Sequence, residues 1–193
     1  VAIGGRPLVR PTPAAGLAAG AVGVPEDPRG EAVVDGMTVL EHMALDGLAP
    51  PRRGAGIDWR RLRARILGLD AARRLEMAAP ERIVSELSGG NIQRVMLARA
   101  LGRPSALVVA AYPSRGLDVA MTRATQGLLL EARDSGAGVL MISEDLDELL
   151  ALADRIAVMH EGRLVGVVAP PAGRARIGAM LTGAPPSEDA AGG

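Results

Sequence analysis

The sequence contains neither cysteine nor lysine: all 22 of its basic residues are arginine. The absence of cysteine excludes disulfides, thiolate chemistry and metal sites with cysteine ligands within these 193 residues. The absence of lysine excludes a Schiff base and any contact between a lysine and a phosphate. A GC-rich genome, which also favours Ala, Gly, Pro and Val, accounts for this use of arginine without a functional reason.

Aromatic residues and net charge are also scarce. The chain has one tryptophan, one tyrosine and no phenylalanine, and its formal net charge at pH 7 is zero. Arginines cluster between residues 52 and 74, but Asp58, Asp70 and Glu76 alternate with them, and no aromatic stacking platform accompanies them. A solvated helix face is therefore favoured over a nucleic-acid interface, and no nucleic-acid partner is predicted.

Long apolar runs are absent as well. The longest, residues 106–111 and 138–142, have the length of strands, whereas a helix that crosses a bilayer needs about 18 apolar residues. The sequence therefore predicts no transmembrane helix. It opens with Val1 rather than Met, and this opening resembles the middle of a domain, so a fragment or a truncated gene is one interpretation.

What is present indicates one α/β domain with a core. Hydrophobic residues make up 48% of the chain. After residue 90, short apolar strands alternate with amphipathic helices, which indicates a mostly parallel sheet buried on both faces. The predicted elements are a strand at 1–3, helices at 13–19, 38–48, 58–77 and 91–101, a strand at 106–111, a helix at 119–133, a strand at 138–143, a helix at 145–153, and a hairpin of 156–160 with 163–168. Residues 25–31 and 49–57 are predicted loops, and residues 184–193 a disordered tail.

The sharpest chemical signal is Leu-Ser-Gly-Gly-Asn at residues 87–91, directly before an apolar-periodic helix. The first turn of a helix carries unsatisfied N–H groups and partial positive charge, and glycine lets these amides approach an anion closely. Ser88 adds a hydroxyl donor. By itself this segment is equally typical of a loop that ends in a helix cap.

The flanking segments favour the anion site. Further motifs follow in order: Ala-Arg-Ala-Leu at 98–101, Pro-Ser-Arg-Gly-Leu-Asp at 113–118, Ile-Ser-Glu-Asp-Leu-Asp-Glu at 142–148 and Ala-Asp-Arg-Ile-Ala-Val-Met at 153–159. Together they resemble the ABC-transporter ATPase family from its signature motif to the end of its domain, over about residues 1–166. The signature ending in Asn91, with Val-Pro-Glu-Asp at 24–27, resembles the second ATPase half of the two-half proteins that drive bacterial sugar and nucleoside importers.

This resemblance implies an ABC-type P-loop NTPase fold, incomplete at its amino end, over residues 1–183, with a helical subdomain at about 28–100. In the family two ATPase domains meet head to tail around ATP and Mg²⁺. Ser88, Gly89, Gly90 and Asn91 would then contact the γ-phosphate of ATP held by a partner half, and this chain would hold no metal of its own. Asp118 matches the D-loop aspartate at the dimer interface, and it is equally suited to cap the helix that follows.

The resemblance also shows what departs from an active pattern. The phosphate loop Gly-x-x-x-x-Gly-Lys-Ser/Thr does not occur in these residues and is expected before Val1. Ala111 and Tyr112 stand where the family has Asp-Glu after the Walker B strand, and neither can replace a carboxylate that organises Mg²⁺ or acts as a base. Glu144 stands at the switch histidine, and Glu26 at the Q-loop glutamine, where an ordinary turn carboxylate is the alternative. The chain alone is predicted to be inactive.

Other residues are weaker candidates. His42 and His160 have no metal-ligand companions at suitable spacing, so surface or packing roles are predicted. Trp59 is predicted to cover a small core. Met37 and Met43 are candidates for a groove that docks membrane subunits, and core packing is the equal alternative.

The leading hypothesis is an energy-coupling ATPase half at the cytoplasmic face of the bacterial inner membrane, paired with a second half and with transmembrane permease subunits. A non-catalytic structural module and a truncated remnant are the alternatives. A soluble ABC protein that acts on ribosomes or DNA is disfavoured by Tyr112 and by the neutral net charge.

Overall fold

The computed structural model describes residues 1–45, 50–171 and 173–183, and the chain divides into two units, Val1–Ile142 and Ser143–Gly193. In chain order the first unit contains β1 (Ala2–Ile3), β2 (Arg6–Pro7), α1 (Pro13–Ala18), β3 (Ala21–Val24), α2 (Pro28–Glu31), α3 (Val39–Ala44), β4 (Arg52–Arg53), β5 (Gly56–Ile57), α4 (Trp59–Leu67), α5 (Asp70–Arg74), a 3-10 turn (Val84–Glu86), α6 (Gly89–Leu101), β6 (Leu107–Ala111), α7 (Val119–Asp134) and β7 (Gly138–Ile142). The second unit contains α8 (Leu146–Leu152), β8 (Ile156–His160), β9 (Arg163–Val168) and α9 (Arg174–Leu181). The predicted disordered tail lies outside the described residues.

The three-stranded sheet of the first unit is parallel, as its sequence predicts. Its order is β3-β6-β7, with Val22 opposite Val108 and Val108 opposite Val139. The strand β3 was not among the predicted elements, because its four residues include Gly23 and carry too short a pattern to stand out. The carboxyl ends of β3 and β6 lie side by side, which is the edge where ligands bind in open α/β sheets.

The prediction that both faces of this sheet are buried is wrong for the described residues. Val22, Val24, Val108 and Ala110 are buried on one face. On the opposite face Leu140 is 54% exposed and Ile142 is 47% exposed. Apolar composition therefore identified the strands correctly but overstated how far they are covered here.

The helix α6 joins two hydrophobic clusters. Its residues Ile92, Val95 and Met96 pack in one cluster with side chains from α3, α4 and the 3-10 turn. Leu97 and Ala98 pack in the other cluster, with the sheet. Burial of each large apolar side chain stabilises the fold by about 1.5–3 kcal/mol. The helix α6 is therefore packed on both sides.

Several predicted boundaries are wrong in ways that local chemistry explains. The helix predicted at 58–77 is two helices, α4 and α5, because Leu69 between them has extended backbone, with φ −67° and ψ 128°. The helix predicted at 38–48 ends at Ala44, and residues 46–49 lie outside the described part.

The two predicted loops contain short elements. In the first loop Pro28 opens the single-turn helix α2, and the Asp27 carboxylate caps it by accepting from the N–H of Gly30 at 3.1 Å. In the second loop β4 and β5 form a small antiparallel pair. Within the described ranges, no helix is both long and apolar enough to cross a membrane.

The second unit is built on the predicted hairpin. Strands β8 and β9 pair antiparallel through Glu161 and Gly162, which both have positive φ, as a two-residue hairpin turn requires. Ile156, Val158 and Ile177 form its small core with neighbouring apolar side chains. The helix α9, which supplies Ile177, was not among the predicted elements.

Candidate functional site

Ser88 caps the amino end of α6. It has extended backbone, and its Oγ accepts from the backbone N–H of Asn91 at 3.4 Å and from Asn91 Nδ2 at 3.0 Å. Ser88 and Gly89 are exposed, so the first turn of α6 presents backbone donors to solvent. The cap therefore does not exclude the predicted anion site, because the oxygen of Ser88 accepts from the helix and its O–H remains a donor.

Gly90 lies directly against the loop at residues 113–118. A Cβ built on Gly90 would stand 2.8 Å from the carbonyl oxygen of Gly116, whereas a Cβ on Gly89 would meet nothing within 4 Å. Gly116 itself has a φ of +72°, a conformation that favours glycine. The second glycine of the motif is thus required by packing, and the first is not.

A buried glutamine connects the same two segments. Gln93, 4% exposed, donates through Nε2 to the carbonyl oxygens of Tyr112 at 3.3 Å and Pro113 at 3.0 Å. These bonds satisfy polar groups that burial would otherwise leave without partners. Gln93 therefore links the start of α6 directly to the end of β6.

Asp118 caps α7. Its Oδ1 accepts from the N–H of Met121 at 2.9 Å, which confirms the cap that the sequence predicts. The residue is exposed, so the cap leaves its second carboxylate oxygen open to solvent. Its role at a dimer interface stays a prediction.

At the end of β6 an arginine contacts a tyrosine and a glutamate, where the resemblance predicts an acidic pair. We call these residues, Arg115, Tyr112 and Glu26, the arginine clamp. Tyr112 follows Ala111 with a φ of +48°, and its N–H donates to the carbonyl of Ile142. The guanidinium of Arg115 lies 4.9 Å from the centre of the Tyr112 ring, and its Nη1 lies 3.5 Å from Glu26 Oε1. Two of the predicted degenerate positions, Tyr112 and Glu26, are therefore brought together by a cation.

This clamp does not fit a magnesium site. The guanidinium neutralises Glu26 and repels a second cation, while Ala111 and Tyr112 offer no carboxylate. Among the described residues there is no group of three or more histidine, cysteine, aspartate or glutamate side chains that could hold a metal ion. A cavity of about 530 Å³ opens beside the clamp, and Val24, Glu26 and Ala111 are part of its lining.

Glu144 lies in the second unit, in a turn crowded with acceptors. Ser143 Oγ donates to Glu148 and accepts from the N–H of Asp145, and Asp145 caps α8 by accepting from the N–H groups of Asp147 and Glu148. Glu144 itself is exposed. Four acidic residues within five positions make this turn unfavourable for a phosphate.

Two of the remaining candidates, His42 and Met43, have structural roles. His42 is fully buried: its Nε2 accepts from the N–H of Val34, and its Nδ1 donates to the carbonyl of Thr38, each at 2.9 Å. This confirms the packing role for His42. Met43 is 3% exposed and belongs to the cluster that α6 forms with α3, α4 and the 3-10 turn, which favours core packing over a docking groove. Trp59, at the start of α4, is 42% exposed.

Comparison with known proteins adds sequence relatives. The chain is 37% identical over 168 residues to ribose import ATP-binding protein RbsA 1 of Streptomyces coelicolor, which covers 87% of the chain and 33% of the relative. It is 35% identical over 186 residues to glucose import ATP-binding protein TsgD13 of Haloferax volcanii, which covers 94% and 34%. It is 38% identical over 149 residues to nucleoside import ATP-binding protein NupA of Lactococcus lactis, which covers 76% and 29%.

Solved structures match the fold. The ATP-binding subunit of an ABC transporter superposes with a TM-score of 0.65 at 22% identity, over 85% of this chain and 64% of that chain. A dimeric ATP-binding cassette bound to ADP and Pi superposes with a TM-score of 0.64 at 20% identity, over 78% and 62%. No protein-family model matches the chain.

The chain belongs to the ABC-transporter ATP-binding family. The predicted fold class, an ABC ATPase cassette with a parallel sheet core, is confirmed. The chain spans about one third of the length of the relatives named above.

Sequence reasoning missed three residues of this ABC cassette. Gln93 had a signal, because it is a polar residue on the inward face of a helix. Arg115 and Arg29 had none: Glu26 lies 89 positions before Arg115, and the two carbonyls that accept from Arg29 lie 56 and 58 positions after it.

Proposed function

We propose that this chain is the second ATPase half of an importer for sugars or nucleosides, and that it contributes its signature segment to ATP bound by a partner half. The observation that carries the proposal is the amino end of α6, where Ser88, Gly89 and Gly90 present donors from a helix that is fixed on both sides. The relatives that are named as ribose, glucose and nucleoside import proteins support the class of solute.

The donors at the start of α6 suit a γ-phosphate. A helix amino end favours an anion by about 0.3–1 kcal/mol at an exposed position, and the hydroxyl of Ser88 adds one further donor. Phosphoryl transfer depends mainly on positioning and on stabilisation of charge. Residues that only donate hydrogen bonds can therefore be essential without taking or giving a proton.

The chain's own site is unsuited to hydrolysis under this proposal. The clamp of Arg115 with Tyr112 and Glu26 occupies the region where an acidic pair would organise Mg²⁺. ATP and Mg²⁺ are thus held mainly by the partner half, and each assembly has one competent site. The dimeric cassette bound to ADP and Pi supports pairing of two such domains.

The same proposal places the chain at the cytoplasmic face of the bacterial inner membrane, in contact with transmembrane permease subunits. The import function in the names of the relatives supports this location.

The test replaces Ser88 by arginine in the assembled importer, with its partner half and membrane subunits. We expect Ser88→Arg to lower ATP hydrolysis to below about one hundredth of the wild-type rate, since loss of a single preorganised donor costs about 10²–10³-fold. The matched control is Thr12→Arg, because Thr12 is also an exposed helix cap, on α1. An unchanged rate in Ser88→Arg contradicts the proposal and favours the non-catalytic structural module.

A further inference from the structure

We propose that Arg29 is a positioning residue for the signature segment: it holds the peptide group that carries the N–H of Ser88. Arg29 Nη2 donates to the carbonyl oxygen of Leu87 at 2.7 Å, and Nη1 donates to that of Ser85 at 2.9 Å. The inference rests on the proposed function, since it assigns Arg29 a role at the site formed by Ser88, Gly89 and Gly90.

The geometry of a peptide bond carries the first step. The carbonyl of Leu87 and the N–H of Ser88 belong to one planar, trans peptide group, so they point in opposite directions. A guanidinium fixed on the carbonyl side therefore directs the N–H of Ser88 away from Arg29. A charged donor also polarises the peptide and strengthens its N–H as a donor, because hydrogen bonds in a chain reinforce one another.

The two acceptors lie where the chain needs support. Ser85 belongs to the 3-10 turn, which is a short element with weaker hydrogen bonds than an α-helix. Leu87 has extended backbone between that turn and the cap of α6. The planar guanidinium spans both carbonyls at once and thereby fixes the angle between the turn and the helix.

Two hydrogen bonds stabilise the short segment that carries Arg29. It lies in the single turn α2, where Asp27 accepts from the N–H of Gly30, and the carboxylate of Glu31 accepts from the N–H of Asp27 at 3.3 Å. The side chain of Arg29 can therefore connect this turn to the signature segment and hold the two at a fixed distance. Glu26, just before the turn, pairs with Arg115, so one short segment touches both the degenerate site and the signature.

The experiment compares three variants in the assembled importer. Arg29→Gln removes the charge, Arg29→Lys keeps the charge but loses the two-pronged contact, and Arg63→Gln breaks an ion pair with Glu81 elsewhere in the helical region. We expect Arg29→Gln to lower kcat for ATP about tenfold with KM within about twofold, because the donor is misdirected rather than deleted. Arg29→Lys falls between wild type and Arg29→Gln, and Arg63→Gln keeps the wild-type kcat.

Amide hydrogen exchange at residues 91 and 92 of the full chain, whose N–H groups donate to the Oγ and the carbonyl oxygen of Ser88, supplies a readout that does not depend on turnover. We expect faster exchange there in Arg29→Gln and not in Arg63→Gln. If Arg29→Gln matches Arg63→Gln in kcat and in exchange while Ser88→Arg abolishes hydrolysis, the role of Arg29 is refuted and the proposed function stands. If Ser88→Arg leaves hydrolysis intact, the proposed function fails, and unchanged exchange at residues 91 and 92 in Arg29→Gln refutes the positioning as well.

Discussion

The amino end of α6 and the carboxyl end of β6 are neighbours in one unit and are joined by the hydrogen bonds of Gln93. They differ in the groups that form them. The start of α6 relies on backbone donors, a glycine packed against Gly116 and a serine cap. The end of β6 relies on exposed side chains, in which Arg115 balances Glu26 and covers Tyr112.

Under the proposed function, this difference explains how the start of α6 keeps its binding chemistry while the end of β6 loses its metal-binding chemistry. The positions of backbone N–H donors depend on the path of the chain, and two hydrophobic clusters fix that path. Carboxylates that organise a metal depend on single side chains, which substitution removes without disturbing the fold. The comparison predicts that a side chain added close to the backbone at the start of α6 lowers the stability of the fold strongly. Substitutions in the clamp should change it little.

The largest effect is expected from the two glycines of the signature. Alanine at either position gains up to about 1 kcal/mol of helix propensity. At Gly90 the new Cβ would press on the carbonyl of Gly116, and such overpacking costs about 1–3 kcal/mol. We therefore expect the free energy of unfolding of Gly90→Ala to lie about 1–3 kcal/mol below that of Gly89→Ala, measured by urea titration. Equal stabilities would contradict the close packing of Gly90 on Gly116.

The smaller effect is expected from the clamp. Arg115 and Glu26 are both more than half exposed, so water and salt screen their attraction. A double-mutant cycle with Arg115→Gln and Glu26→Gln should give a coupling energy of about 0.2–1 kcal/mol that falls as salt is added. A coupling above that range, or one that salt leaves unchanged, would show that the clamp is a structural element as strong as the signature packing.

The sequence predicted those parts of the fold that repeat along the chain. Periodic apolar residues located α6 and α7, and alternation around Glu161 and Gly162 located the hairpin. The parallel sheet followed from short apolar strands between helices. The single turn α2 escaped because its cap, Asp27, and its Pro28 are equally common in loops.

The candidate site was predicted at the level of motifs and not of contacts. Ser88, Gly89 and Asp118 were found because their neighbours along the chain carry the pattern. The contact of Gly90 with Gly116 spans 26 residues, and that of Arg29 with Leu87 spans 58, and sequence spacing holds no information on such distances. Arg115 escaped for the same reason, since the clamp exists only where Glu26 and Tyr112 meet in the fold.

The central claim is that the start of α6 binds ATP held by another domain. The most direct measurement is amide hydrogen exchange at residues 88–91, with ATP added to this chain alone and to this chain paired with its partner half. The account predicts slower exchange at these residues only when ATP and the partner are both present. Slower exchange with ATP in the chain alone, or unchanged exchange in the pair, would contradict it.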